Sequence, residues 1–148
     1  MSTATTTRSA VERRALGRLH DFLGAGQRAV IVAGLRGEER AAFSEIVRDL
    51  CARLDAAPTT YETDGQGYAA TAFLHYFLGG CDWWIVELDR GADGDTPADF
   101  QRQAFGISSL GFEPEMGYIS ISELLAMGAE LDLYYTPRTV RDILGGAE

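Results

Sequence analysis

The sequence predicts an α+β fold, a small antiparallel β-meander sheet with N-terminal helices packed on one face. Three observations point there. Residues 8–57 repeat apolar side chains at spacings of three and four, as a helix face does. From residue 58 onward the chain switches to aromatic and β-branched runs. Two of these runs are divided by Gly79 and Gly80 at the distance of a two-residue hairpin. A chain of 148 residues buries enough surface to need no disulfide or metal staple, so residues 8–148 read as a single domain. The polar stretch M-S-T-A-T-T-T over residues 1–7 is expected to be disordered.

The first helix opens with a capping box, Ser9 with Glu12. Its apolar stripe is Val11, Ala15, Leu16, Leu19, Phe22 and Leu23, and Gly24 and Gly26 supply stops. Residues 29–35, A-V-I-V-A-G-L, are apolar all round, so a buried short helix and a strand both fit; short loops and helical neighbours favour the helix. After Gly37, Glu38 and Glu39 load a first turn with the charge a helix N-terminus favours. Phe43, Ile46, Val47, Leu50, Cys51 and Leu54 then form the next stripe, which ends before Pro58.

In the second half, residues 70–78 and 81–89 form the hairpin. Pairing outward from the turn sets Tyr76 opposite Trp83, His75 opposite Trp84 and Phe73 opposite Val86. Residues 91–97, with Asp93 and Asp95, read as a polar loop, and residues 104–110 as a third strand. Ser120 with Glu123 caps a short helix that stops at Gly128, residues 129–135 alternate as a fourth strand, and Thr136 caps a last helix with Pro137 at its first position.

The net charge of −9 is unevenly placed. Residues 1–60 hold nine arginines against seven acids, whereas residues 61–148 hold four against fifteen. An acidic half repels phosphates and attracts basic surfaces, so direct nucleic-acid binding is disfavoured. Lysine is absent and every cation is arginine. No apolar run approaches the roughly 20 residues of a membrane span and no apolar signal core opens the chain, so a cytoplasmic protein is expected. Cys51 and Cys81 are too few for a disulfide framework, with only His20 and His75 besides them a closed Cys/His zinc site is not expected, and no metal or cofactor motif is present.

Candidate chemistry gathers around the hairpin. A histidine with carboxylates, here His75 with Asp82 and Glu87, performs general acid–base work where the side chains converge. Strand alternation sets His75 and Asp82 on one face with Trp84, and Glu87 and Asp89 on the other with Trp83 and Ile85. Packing of His75 within an aromatic sheet face is the plainer reading. The polar loop of Tyr61, Glu62, Asp64, Gly65, Gln66 and Gly67 has the composition of a pocket lining, yet T-D-G-Q-G matches no phosphate-binding loop and lacks a lysine. Of Trp83 and Trp84, one enters the core and the other is a candidate interface anchor. Glu113, Glu115, Glu130 and Asp132 flank Gly117 and Tyr118; they are either solvated surface or a negative face for an arginine-rich partner.

The run H-Y-F-L-G-G-C-D-W-W-I-V-E-L-D, followed by Q-A-F-G, L-G-F-E-P-E-M-G-Y-I-S-I-S-E-L and G-A-E-L-D-L-Y-Y-T-P, resembles an uncharacterised family of small proteins encoded on plasmids, phages and integrative elements. It is also similar to modules of the large polyvalent proteins such elements carry. The resemblance covers about half the chain and rests on positions such as His75, Asp82, Trp83, Glu87, Phe105, Gly106, Gly117, Tyr118, Glu130 and Asp132. Trp84 and Val86 stand where relatives more often have Tyr and a polar residue, which suggests a more apolar strand face. No activity, catalytic residue or cofactor comes with the family. Its genetic neighbourhood of antirestriction, methyltransferase and conjugation functions implies counter-defence work. The resulting expectation is a non-enzymatic acidic protein, antirestriction or anti-CRISPR-like, that occludes a basic nucleic-acid-binding surface of a host protein or complex. Its partner-binding residues would be Trp83, Trp84, Glu113, Glu115, Tyr118, Glu130 and Asp132. The alternatives are a small enzyme or ligand-binding module centred on His75, Asp82 and the loop from Asp64 to Gly67, and a homodimer joined through the aromatic hairpin.

Overall fold

Helices occupy the N-terminal third, as the apolar spacing predicts, and a computed structural model describes residues 10–58, 65–88 and 103–145. The expected disorder of residues 1–7, the Ser9 cap, the polar positions 61–64, Asp89 and the loop at 91–97 lie outside the described residues. Helix α1, Ala10–Leu19, runs into a 3-10 turn, His20–Phe22, and buries Leu19, Phe22 and Leu23. Val11 is exposed, so the buried stripe starts further along than the sequence pattern suggests. The turn is held by Arg28, whose guanidinium donates to the carbonyls of Leu23 (2.7 Å) and His20 (3.1 Å).

The ambiguous apolar run is helix α2, Ala25–Arg36. Ile31 and Leu35, four residues apart, face the core while Val30 is exposed, a one-sided burial that the helical period produces and a strand's does not. Gly24 is the N-cap, and Gly26 sits inside the first turn instead of stopping anything. Helix α3, Arg40–Ala56, buries Val47, Leu50 and Leu54; Glu38 and Glu39 precede it, with Glu39 at the N-cap. Glu12 of α1 accepts from Arg40 of α3 at 3.1 Å.

Among the described residues seven strands follow: β1 Thr71–Ala72, β2 Leu74–Leu78, β3 Cys81–Leu88, β4 Gln103–Ser109, β5 Glu115–Ser120, β6 Glu130–Leu131 and β7 Arg138–Thr139. Strands β2 to β5 form the antiparallel meander, β6 returns to the outer side of β2, giving the order β5-β4-β3-β2-β6, and β1 pairs with β7 apart from it. The expected pairs Tyr76↔Trp83 and His75↔Trp84 are present. Gly79 alone of the turn pair takes positive φ, +58°, as the first central position of a type II′ connection requires. Phe73 lies between β1 and β2, its N–H donating to the Ile85 carbonyl. The fourth strand of the sequence reading shrinks to the two residues of β6, and β5, which the sequence reading did not assign, takes the far edge of the sheet.

Between β5 and β6 lies helix α4, Ile121–Met127. Its Ser120 hydroxyl accepts from the Glu123 N–H, as the capping box predicts, and Gly128 closes it in the left-handed conformation at φ +98°. Helix α5, Val140–Gly145, is capped by Thr139, whose hydroxyl accepts from the Asp142 N–H, and not by Thr136.

The centre of the sheet is buried on both faces. Leu74, Tyr76, Trp83, Ile85, Leu88, Ala104, Ile119 and Leu131 join the helical core formed with α1 to α4. On the other face Ala72, Val86 and Ile107 meet Val140 and Ile143 of α5, with Trp84 packed alongside. A bulge between Ile85 and Glu87 shifts the β3–β4 register, so that Glu87 pairs with Phe105 and Leu88 with Ala104. A bulge sets two residues against one and reverses the alternation beyond it.

Candidate functional site

Strand β2 presents His75 on the α5 face, and three neighbouring elements close around it. Trp84, its cross-strand partner on β3, stacks on the imidazole at 5.0 Å between centroids and 17° between planes. Asp82, two residues from Trp84 on the same face, places Oδ1 2.8 Å from His75 Nε2. Asp132, just past β6, places Oδ2 3.1 Å from Nδ1, while its N–H donates to the His75 carbonyl at 2.8 Å. Phe77 and Tyr135 flank the ring.

The side chain of His75 is 15% exposed, against 37% for Asp82 and 31% for Asp132. Each ring nitrogen thus has a carboxylate oxygen within hydrogen-bond distance, and the stacked face of the ring is covered by Trp84. The arrangement ties the β6 segment to the hairpin, with Asp132 supplying both a side-chain and a backbone bond. General base chemistry at His75 would require one carboxylate to leave first.

The bulge overturns the sequence expectation for Glu87. Paired with Phe105, Glu87 belongs to the same face as His75 and Trp84, and it is Leu88 that enters the helical core. Glu87 is 4% exposed, the one buried charged residue among the described residues. A cue existed in W-W-I-V-E-L, where four consecutive bulky residues break strict alternation.

Tyr135 links this site to the helices. Its hydroxyl donates to the Ala72 carbonyl (2.9 Å) and accepts from the Arg138 N–H (3.2 Å), and burial pushes its phenol above the usual range. The Arg53 guanidinium lies 6.0 Å over its ring and pairs with Asp49 at 2.6 Å, and among the described residues its buried Nη1 has no hydrogen-bond partner. The Cys51 thiol, raised by burial, points at the Ala15 carbonyl and has the character of a core residue.

The two tryptophans separate as adjacent strand residues must. Trp83 is 7% exposed within the helical core, so it is a packing residue and not a surface anchor. Trp84 is half-buried under the His75 ring. The acidic positions do not form one face. Glu113 and Glu115 lie at the start of β5, whereas Glu130 and Asp132 lie at β6, the opposite edge of the sheet. Four strand spacings of about 4.8 Å set the two groups roughly 19 Å apart.

At the β5 edge the exposed residues are mixed in kind. Phe112, Met116 and Tyr118 are exposed beside the exposed carboxylates of Glu113 and Glu115, and Tyr118 meets Phe105 edge-on at 5.5 Å. Only Tyr118, Glu113 and Glu115 of this group stood out in the sequence. The alternation of Met116 and Tyr118 against Ile119 was the available signal, interrupted by Gly117.

A shallow cavity of about 440 Å³ opens elsewhere, between the start of α2 and the end of α4, lined by Gly24, Gln27, Val30, Leu125 and Glu130 among others. None of His75, Asp82 or Glu87 lines it. Of the loop assigned to the ligand-binding alternative, Asp64 lies outside the described residues, and Gly65 to Ala69 are exposed. Among the described residues no cluster of His, Cys, Asp and Glu is arranged to hold a metal ion, and no helix is long and apolar enough to cross a membrane. Compared with protein-family models, curated proteins and solved structures, the chain matches none.

Proposed function

We propose that the chain is an acidic protein-binding module whose partner is a basic nucleic-acid-binding protein or complex, and that it acts by covering the partner's nucleic-acid surface. One observation carries this reading. Between Arg102 and Arg138 the chain has no cation and five carboxylates, and this stretch builds the outer sheet strand, where Phe112, Met116 and Tyr118 are exposed beside Glu113 and Glu115. Apolar anchors rimmed by charge of one sign suit a surface of the opposite sign, with the charges steering encounter and the anchors slowing release. The same field repels nucleic acid itself.

A role in counter-defence on behalf of a mobile element, in the cytoplasm of the host, rests on the motif resemblance of the hairpin and the stretch from Gln103 to Asp132. The enzyme alternative draws less support, because His75 has both nitrogens engaged and its ring stacked on Trp84.

The test is partner binding as a function of salt and charge. Affinity should fall as salt rises, and the double variant Glu113→Gln with Glu115→Gln should bind roughly 2- to 30-fold more weakly, at about 0.2–1 kcal/mol per rim charge. Neutralising Glu130 on the far edge should have a smaller effect. Binding indifferent to both salt and neutralisation contradicts the proposal.

A further inference from the structure

We infer that the turn between β4 and β5 is the contact point of this module, and that Phe112 enters an apolar hollow of the partner ringed by arginine or lysine. The inference rests on the function proposed above and names its anchor. Two hairpin turns lie at the same end of the sheet. The pairs Leu78↔Cys81 and Asp82↔Ser109 set the turn at Gly79 and Gly80 beside the end of β4, where the chain passes through Leu110, Gly111, Phe112, Glu113 and Pro114 into β5.

The second of these turns stands out from the surface. Residues 110–116 are all exposed, and Phe112, at 83%, is the most exposed large apolar side chain among the described residues. Gly111 bends the chain in the left-handed conformation at φ +92°, and the ring of Pro114 fixes its own φ. The two strands that carry the turn pair without a break from Gln103↔Ser120 to Ser108↔Glu115. A short turn on a regular ladder holds Phe112 with little backbone freedom left to lose on binding.

Charge states what the partner must carry. Residues 74–88 and 103–120, which build strands β2 to β5 and both turns, contain no arginine or lysine. Glu113 and Glu115 are exposed beside Phe112, and Leu110 and Leu78 are exposed on the side of the neighbouring turn. Exposed aromatics anchor binding hot spots, and charges around them steer encounter. A projecting turn needs a concave complement, and its carboxylates need cations at the rim of that hollow. Grooves lined by cations track nucleic-acid backbones, so an anchor seated there would cover the surface that holds the nucleic acid.

The experiment uses the full chain with a photo-crosslinking benzophenone side chain in place of Phe112 or, as a control, in place of Tyr134, a comparably exposed aromatic beyond β6. The probe is host protein retained on heparin, a polyanion that selects basic patches. Crosslinking from position 112 should exceed that from 134 at least tenfold, should land on peptides bearing arginine or lysine, and should be suppressed by high salt. With the crosslinked protein purified, Phe112→Ser should weaken binding at least tenfold through faster release while melting with the parent chain, and Tyr134→Ser should bind as the parent does. Equal crosslinking from both positions, or a second copy of the chain as the crosslinked species, overturns the inference. If Phe112→Ser holds a salt-released partner with parental affinity, the anchor is wrong and the proposed function stands on its own charge test. If no heparin-retained protein is held at low salt, or the one held binds duplex undisturbed, the proposed function falls and the anchor with it.

Discussion

Tyr76 sits fully buried beneath the sheet, and its hydroxyl donates to the Phe22 carbonyl at 2.7 Å, joining β2 to the turn after α1. Removing that hydroxyl deletes a buried hydrogen bond, so Tyr76→Phe should cost about 0.5–1.5 kcal/mol in urea unfolding at neutral pH. Burial also holds the Tyr76 phenol well above its usual range. The unfolded chain therefore releases this proton first. Stability from the neutral phenol is intact below about pH 10 and is lost as pH rises beyond it, by up to about 1.4 kcal/mol per pH unit. The Tyr76→Phe variant should show a shallower alkaline loss; equal slopes would contradict the assignment. Gly106 makes a second test, because a methyl there would overlap the Trp84 carbonyl, whereas at Gly117 it would meet nothing among the described residues. Gly106→Ala should destabilise by about 1–3 kcal/mol or more, and Gly117→Ala by far less, in parallel thermal melts. Side-chain roles of this kind were only partly legible in the sequence. His75 and Asp82 could be placed on one face by alternation, but Asp132, 57 positions from His75, comes into reach only through the return of β6 to the outer side of β2.

Elements were read best where the pattern was long. The stripe from Phe43 to Leu54 and the hairpin about Gly79 needed only local spacing, and both stand as expected. Strand β5 escaped because Gly117 interrupts its apolar pattern and because Met116 and Tyr118 face outward. The bulge at Val86 escaped because alternation assumes an unbroken register, and one extra residue reverses every assignment after it. Among the elements, the contact of α2 with β6 offers the cleanest test. Gln27→Ala removes two hydrogen bonds that close an edge strand of two residues, and should cost about 1–3 kcal/mol. Amide exchange should then rise first at Leu131 and Asp132, which would also loosen the clamp on His75. A cost indistinguishable from zero would mean that the edge is held by packing of Leu131 alone.

At the scale of the whole molecule, charge and topology act together. The N-terminal helices carry most of the arginines, and the sheet-forming half carries most of the carboxylates. Folding places that half so that its two acidic groups occupy opposite edges of the sheet, Glu130 and Asp132 at β6, where Gln27 bonds Leu131, and Glu113 and Glu115 exposed at the start of β5. Composition alone revealed the polarity, on which the proposed basic partner rests, but not which carboxylates lie together, since that depends on the order β5-β4-β3-β2-β6. The most direct measurement is capture of host proteins on the immobilised chain at low salt, followed by competition of the captured partner for labelled duplex. The account predicts a nucleic-acid-binding partner that is released by salt, is prevented from holding duplex by the chain, and is lost to Glu113→Gln with Glu115→Gln. A partner that binds chain and duplex together, or is retained unchanged at high salt by the neutralised variant, would contradict it.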